Sequence, residues 1–315
     1  MLAQLARLLP IGAGWRYEPK LDGFRALLAH QPGGYVRLTS RNQKDLAPSF
    51  PEVLSAGSCL PAGTIVDGEL VVADEQRCAD FGALQARLTV PVRLTLPAAA
   101  RQPAVLVAFD VLEYEGKDVS CEPLHARRRL LEALVPGRHP CLQLMTQTSD
   151  AQLARDWMSH VPAVEGVVAK RADGCYRPGR REWVKVKRQR TADCVVVGLA
   201  GHFETPALVL GLHHQDGELH LFGVTRPISN PRAKPLWVLR ERAGPAERPI
   251  RSRWQHQGIE NWRRVPPELV CEVRFSNLDG GRWLRQAATF LRWRDDRLPE
   301  DCSLGQLSLQ PTAPR

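Results

Sequence analysis

Along the chain, short apolar runs alternate with turn residues in two textures. Up to about residue 190, strands and helices are mixed. FRALLAH (24–30) and YVRLTS (35–40) read as strands joined by a turn at QPGG. TIVDGELVVAD (64–74) is two apolar runs broken by Asp-Gly, the pattern of a hairpin. ADFGALQARL (79–88) and PLHARRRLLEAL (123–134) predict helices, the second with Pro at its first position. AVLVAFDVLEY (104–114) is apolar throughout and predicts a buried strand, and VEGVVAKR (164–171) and WVKVKRQ (183–189) predict two more. Beyond residue 190 the runs DCVVVGLA, PALVLGLHH, GELHLFGVT and LVCEVRFS are short and separated by Gly, Pro and Asp-Gly. That is the pattern of a small barrel, with PRAKPLWVLRERA (231–243) a helical insertion and the last dozen residues a frayed tail. The expected organisation is α+β, with domains over 1–190 and 191–315 and no internal repeat.

Composition narrows the class. A hydrophobic content of 43% is that of a globular chain, and no run is long enough to span a bilayer. The opening MLAQLARLLP lacks a long apolar core and does not read as a signal peptide. The eight cysteines form no C-x-x-C pair and match no zinc spacing. They read as reduced thiols of a cytoplasmic protein, some of them buried. A net charge of +9 favours a polyanionic partner, nucleic acid first.

Only seven of the 43 basic residues are lysines, at 20, 44, 117, 170, 185, 187 and 234. Where a bare positive charge suffices, this chain uses Arg. A lysine therefore hints that an amine is wanted, because Lys can lose its proton and Arg cannot. Lys20, in YEPKLDGFRALL, is the candidate nucleophile. Lys185 and Lys187 share one face of a strand, suited to hold phosphates and to repel the proton on Lys20. Asp67, Glu69 and Glu165 stand at strand positions from which carboxylates hold a hard divalent cation. Together these fit attack by an amine on a nucleotide α-phosphate. Taken singly, each has a blander reading: a turn, a hairpin, a solvated face.

Their order resembles the covalent nucleotidyltransferases, the superfamily of ATP-dependent DNA ligases, RNA ligases and capping enzymes. KLDGFR (20–25) is similar to the motif K-x-D-G-x-R, and TSRN (39–42) to the element after it. DGEL (67–70), AFDVL (108–112), EGVVAK (165–170) and WVKVK (183–187) follow in the family's order. RWRDDR (292–297) resembles the closing R-x-D-K, with Arg297 for its lysine. The resemblance implies a nucleotidyltransferase domain followed by an oligonucleotide-binding (OB) barrel. It makes Lys20 the adenylated lysine and sets Glu18 beside the adenine pocket, with Phe109 stacked on the base. Arg25 and Arg41 would meet ribose or phosphates, and later the nick 5′-phosphate. Glu69 would meet ribose or metal, Glu165 metal, and Lys185 and Lys187 the α-phosphate. Arg294 and Arg297 would orient the leaving pyrophosphate, with Asp296 aligned to the motif's acid. The cofactors implied are ATP and Mg²⁺ or Mn²⁺. The partners implied are nicked duplex DNA and a loading or repair protein, with no membrane, and the chain acts as a monomer.

The context of EPKLDGFR, FPEV and GLAGHFETPALVLGL is most similar to the bacterial ligase C and ligase D types, ligase C above all. Only 19 residues precede Lys20, so no separate DNA-binding domain is expected there. The activity implied is nick sealing in DNA repair, with the barrel turning about a linker near 188–192. The alternatives are an RNA ligase, a capping-type guanylyltransferase, or a binding protein whose first domain has decayed.

Overall fold

The computed structural model describes residues 1–72, 80–161, 164–202, 205–228, 234–249, 259, 261–276, 278–279 and 283–307. The chain divides into two units, Met1–Lys187 and Arg188–Arg315.

The first unit holds two sheets. One is built from β1 (Leu2–Leu5), β2 (Trp15–Lys20), β9 (Gly166–Arg171) and β10 (Arg181–Lys187), in the order β1-β10-β9-β2. The other contains β3 (Phe24–His30), β4 (Val36–Ser40), β5 (Thr64–Val72), β6 (Ala104–Tyr114) and β7 (Lys117–Asp118), in the order β4-β3-β5-β6-β7. A short β8 (Leu142–Leu144) pairs with β6 in parallel. Among the described residues the α-helices of this unit are α1 (Pro51–Gly57), α2 (Phe81–Arg87), α3 (Thr95–Arg101), α4 (Leu124–Leu134) and α5 (Ala151–His160).

The patterning explains the packing. α4 buries Leu124, Arg127, Leu131 and Leu134, one face at helical spacing. Its buried arginine is neutralised by Asp110 of β6, which accepts from Arg127 Nε at 2.7 Å and Nη2 at 3.0 Å. An unpaired guanidinium there would be prohibitive. Pro123 is the N-cap of α4 rather than its first helical residue, because φ and ψ there are −63° and 149°, outside the helical region. α2 is capped by Asp80, whose carboxylate accepts from Ala83 N at 2.9 Å. One core lies under the five-stranded order with α1, α2 and α4. A second joins β2, β9 and β10 to α5.

The hairpin expected in TIVDGELVVAD does not form. β5 runs unbroken through Asp67-Gly68, with Leu27 opposite Asp67 and Ala26 opposite Gly68 on β3. The pairing with β6 shifts register between Asp67 and Gly68, a bulge rather than a turn. Asp67 caps no turn because its carboxylate is engaged by Arg25 and Tyr176. Two partner strands override the local preference of Asp-Gly.

The second unit is a curled antiparallel sheet with a separate two-stranded pair, Leu278–Asp279 with Trp283–Leu284. Its strands are β11 (Arg190–Ala200), β12 (Ala207–His213), β13 (Leu219–Val224), β14 (Trp262–Arg264), β15 (Val270–Phe275), β16 (Leu278–Asp279), β17 (Trp283–Leu284) and β18 (Thr289–Trp293), with α6 (Lys234–Glu241) between β13 and β14. The order is β13-β12-β11-β15-β18. β11 pairs with β15 through its first half and with β12 and β14 through its second. A parallel bridge between Thr225 and Ala288 joins the two ends of that order and closes a five-stranded barrel. This is the OB-fold the resemblance implies. Its interior is filled by Val195, Leu208, Leu210, Phe222, Cys271 and Val273, each fully buried.

Residues 188–189 alone lie between β10 and β11, so the linker expected at 188–192 is shorter, its last three residues being strand. The helical insertion is α6, although 231–233 lie outside the described residues, as does the tail from 308. Cys141, Cys194, Cys271 and Cys302 are buried as small apolar groups, while Cys59 and Cys121 are exposed. Cys78 is outside the described residues.

Candidate active site

Strand register assembles the site. Lys20 at the end of β2 stands opposite Gly166 of β9, which stands opposite Lys187 of β10. One row further in, Glu18 faces Val168, and Val168 faces Lys185. Alternation puts Glu18 and Lys20 on one face, with Lys185 on the same side. Gly166 is required there: a Cβ would lie 2.2 Å from Val186 O. Gly23, in the loop after Lys20, is required equally, since its Cβ would lie 2.3 Å from Leu70 O. The backbone N–H of Glu165 donates to Lys20 O at 2.8 Å and brings that carboxylate beside the amine.

The second sheet supplies the facing wall. Arg25 on β3 stands opposite Glu69 on β5, which stands opposite Val107 on β6 near Phe109. The two sheets bound a cavity of about 760 Å³, lined by Glu18, Lys20, Arg25, Arg41, Glu69, Phe109, Lys170 and Lys185 among others. That volume suits a nucleotide.

Two carboxylates near Lys20, Glu165 beside it and Glu69 in the cavity lining, are perturbed in opposite directions. Glu165 Oε2 accepts from Lys20 Nζ, and Lys187 Nζ lies 2.6 Å from Oε1. Burial raises the Glu165 carboxyl, but Lys20 and Lys187 outweigh it and hold it at about 2. Lys187 meets Oε1 as an ion pair, so each Glu165 oxygen faces a lysine ammonium. Glu69 is pushed up to about 7 by burial, with Lys20 and Arg25 pulling down and Asp67 and Glu165 pushing up. Lys185 is lowered by burial and then by Lys20 and Lys187.

A deeper layer forms the pocket floor. Glu18 and Lys170 are 2% and 1% exposed, and Lys170 Nζ lies 2.6 Å from Glu18 Oε2. The ammonium sits 4.4 Å from the Phe109 ring centre and 4.3 Å from that of Trp183, between two aromatic groups that favour a cation. Gln147 Nε2 donates to Glu18 Oε1 at 2.8 Å. Burial nonetheless leaves the Glu18 carboxyl above its ordinary value, against the pull of Lys170.

The structure gathers Glu18, Lys20, Arg25, Glu69, Phe109, Glu165, Lys185 and Lys187 in one unit, with exposed Arg41 at the cavity lining. Arg25 is committed to the protein: Nε and Nη2 donate to Asp67 at 3.0 and 2.6 Å, Nη2 also donates to Tyr176 Oη, and Nη1 to Met1 O. Arg41 has no side-chain partner among the described residues. Asp67, expected as a metal ligand, is excluded by the same network. It is fully buried, and both its oxygens accept from Arg25 while Oδ2 also accepts from Tyr176 at 2.8 Å. Arg294 and Arg297 belong to the second unit.

Lys170, Trp183, Tyr176 and Gln147 carry the floor without having been assigned a role from sequence. For Lys170 the signal was available, since it is one of the chain's few lysines. The other three needed the fold.

No helix among the described residues is long and apolar enough to cross a membrane. Residues 1–187 match the family model "ATP dependent DNA ligase domain", and 203–297 match "ATP dependent DNA ligase C terminal region". DNA ligase C1 of Mycolicibacterium smegmatis is 38% identical over 325 residues, 98% of this chain and 92% of that relative. DNA ligase C of Mycobacterium tuberculosis is 33% identical over 336 residues, 98% of this chain and 92% of that one. The structure of a Lig E DNA ligase shares the fold, with a TM-score of 0.55 at 21% identity, over 93% of this chain and 99% of the other. With a catalytic-type lysine in a nucleotide-sized cavity and an OB barrel behind it in sequence, the chain belongs to the ATP-dependent DNA ligases.

Proposed function

We propose that this ligase seals nicks in duplex DNA through an AMP carried on Lys20. The amine of Lys20 attacks the α-phosphorus of ATP; a P–N bond forms and the bond to pyrophosphate breaks. AMP then passes to the 5′-phosphate at the nick, and the 3′-hydroxyl displaces it, closing the phosphodiester. The observation that carries this reading is Lys20 in the lining of the cavity with Glu69 and Lys185, its amine paired with Glu165, which Lys187 also meets.

Each neighbour has a task. Lys185 and Lys187 neutralise the α-phosphate as charge redistributes. Glu18 and Lys170 form the seat for adenine, with Phe109 against the base. Arg25, committed to Asp67, acts as a fixed wall, and Arg41 is the cation available to a phosphate. Arg294 and Arg297, from the second unit, serve the leaving pyrophosphate. Serving pyrophosphate in the first step and duplex DNA in the second would turn the second unit about residues 188–189 during turnover.

A divalent cation fits this site. Glu165 stands beside Lys20, and Glu69 has no hydrogen bond or ion pair among the described residues, which leaves its carboxylate available to a cation. Two carboxylates are a suitable set for Mg²⁺ or Mn²⁺, which complete their shell with water and phosphate oxygens. Bound, such an ion would neutralise phosphate charge. Glu165 engaged in that way would release Lys20 from its ion pair. Repair of DNA in a bacterial cytoplasm, as a monomer loaded by a partner protein, is the setting we propose.

The test is intact-protein mass after stripping with pyrophosphate and incubation with ATP and Mg²⁺, beside Lys20→Ala and a GTP arm. A gain of one AMP in the parent protein alone, and with ATP alone, is expected. No gain with either nucleotide rejects the lysine chemistry.

A further inference from the structure

Arg294 stands where a phosphate-facing cation is proposed, yet its guanidinium is already engaged. Nε and Nη2 donate to the two oxygens of Asp296, each at 2.8 Å. Nη1 donates to both oxygens of Asp193, at 2.8 and 2.9 Å. The side chain is 12% exposed, so little of it is left for a ligand. Arg297 differs. It is 48% exposed, and its one ion pair is loose, Nε lying 3.6 Å from Asp193 Oδ2. The two arginines share a turn in which Arg297 N donates to Arg294 O at 3.2 Å. Among the described residues Asp193 is thus the one carboxylate that touches both.

Asp193 is itself pinned. On one edge of β11 it pairs with Glu272 of β15, while pairing with β12 begins only at Val195. The open edge is closed by Gln306, whose Oε1 accepts from Asp193 N at 2.9 Å and whose Nε2 donates to Asp193 O at 3.0 Å. Glu272, the like-charged neighbour, is drawn off by Arg292 at 2.7 Å. Asp193 and Gln306 both lie outside the residues matched by the family models.

We infer that Asp193 is a positioning residue for the first chemical step: it holds Arg294 as a fixed post, and that post presents Arg297 to the pyrophosphate leaving group. The inference rests on the role proposed above for Arg297. Attack by the Lys20 nitrogen breaks the bond to pyrophosphate, and the charge appearing on that group is what Arg297 meets. Losing the post displaces the turn by a fraction of its length, and misplacement of about 1 Å costs on the order of 10²-fold in rate.

The test is Asp193→Asn in the full chain, beside Asp193→Glu and Arg297→Ala, with thermal melting as a check on folding. For Asp193→Asn, adenylation of Lys20 should slow on the order of 10²-fold with a raised KM for ATP. Pyrophosphate-driven removal of AMP should slow in parallel, being the same step reversed. Sealing of a nick that already carries a 5′-adenylate should stay within about twofold of the parent, and Asp193→Glu should recover part of the adenylation rate. A merely structural role would depress sealing of the adenylated nick to the same degree, and that result overturns the inference. Impaired adenylation in Arg297→Ala with normal adenylation in Asp193→Asn overturns positioning alone. Normal adenylation in both removes the role of Arg297 and the inference with it.

Discussion

Glu69 should weaken the fold that carries it. Its carboxyl is held at about 7 rather than 4.5, with burial the largest cause and no hydrogen bond or ion pair of its own among the described residues. A tenfold change in proton affinity is worth about 1.4 kcal/mol, so the ceiling on this effect is about 3 kcal/mol. The side chain is only partly sealed from water, and about 1–3 kcal/mol is the expectation. The folded value is raised, so the contribution is fully present below about pH 4.5 and is lost as pH rises through about 7. Glu69→Gln keeps the shape and removes the charge. It should be more stable than the parent at pH 8 by about 1–3 kcal/mol and equal to it near pH 4. Urea denaturation of the nucleotide-free protein in EDTA at both pH values measures this. A glutamine variant no more stable at pH 8, or one with the same difference at both, refutes the reasoning. The variant should also lose ligation, as a destabilising group kept for function would require.

Glu165 gives the opposite sign. Held at about 2 by Lys20 and Lys187, it contributes stability above about pH 4.5 that is lost as pH falls toward 2. Glu165→Gln should lose at most about 3 kcal/mol at pH 7, with the gap closing toward pH 3 in the same denaturation series; a gap independent of pH rejects the ion pair as its cause. Lys170→Met strands the Glu18 carboxylate and should cost about 3–5 kcal/mol, most of it regained in the double variant with Glu18→Gln; additive losses by urea denaturation would mean that the two side chains are uncoupled. Gly166→Ala forces β9 from β10 and should abolish the AMP adduct seen by mass, whereas Gly33→Ala, with nothing within 4 Å, should adenylate normally. Binding of a nicked duplex should weaken steeply between 50 and 200 mM salt, a log–log slope near zero arguing against phosphate contacts.

Much of the candidate site was legible before any fold. Lys20 is marked by the scarcity of lysine, and Lys185 and Lys187 by a two-residue spacing that puts both on one strand face. The ordered motifs named the family because chemistry at a phosphate restricts residue types at each position. The strands were legible where apolar runs were long, as in Ala104–Tyr114 and Arg190–Ala200, since burial on both faces leaves a continuous signal.

Asp67-Gly68 was misread because a turn preference is local, whereas the pairing of β5 with β3 and β6 is contributed by residues far off in sequence. Partner choice was hidden for the same reason. Arg25 and Arg41 look alike in sequence, but only the fold commits Arg25 to Asp67 and Tyr176 and leaves Arg41 exposed. The pairing of Glu18 with Lys170, and of Arg294 with Asp193, spans a sequence distance that no local pattern encodes. Residue identity determined which chemistry the chain can offer; strand register, set by the burial of whole sheets, decided which charges face the cavity and which only hold one another in place.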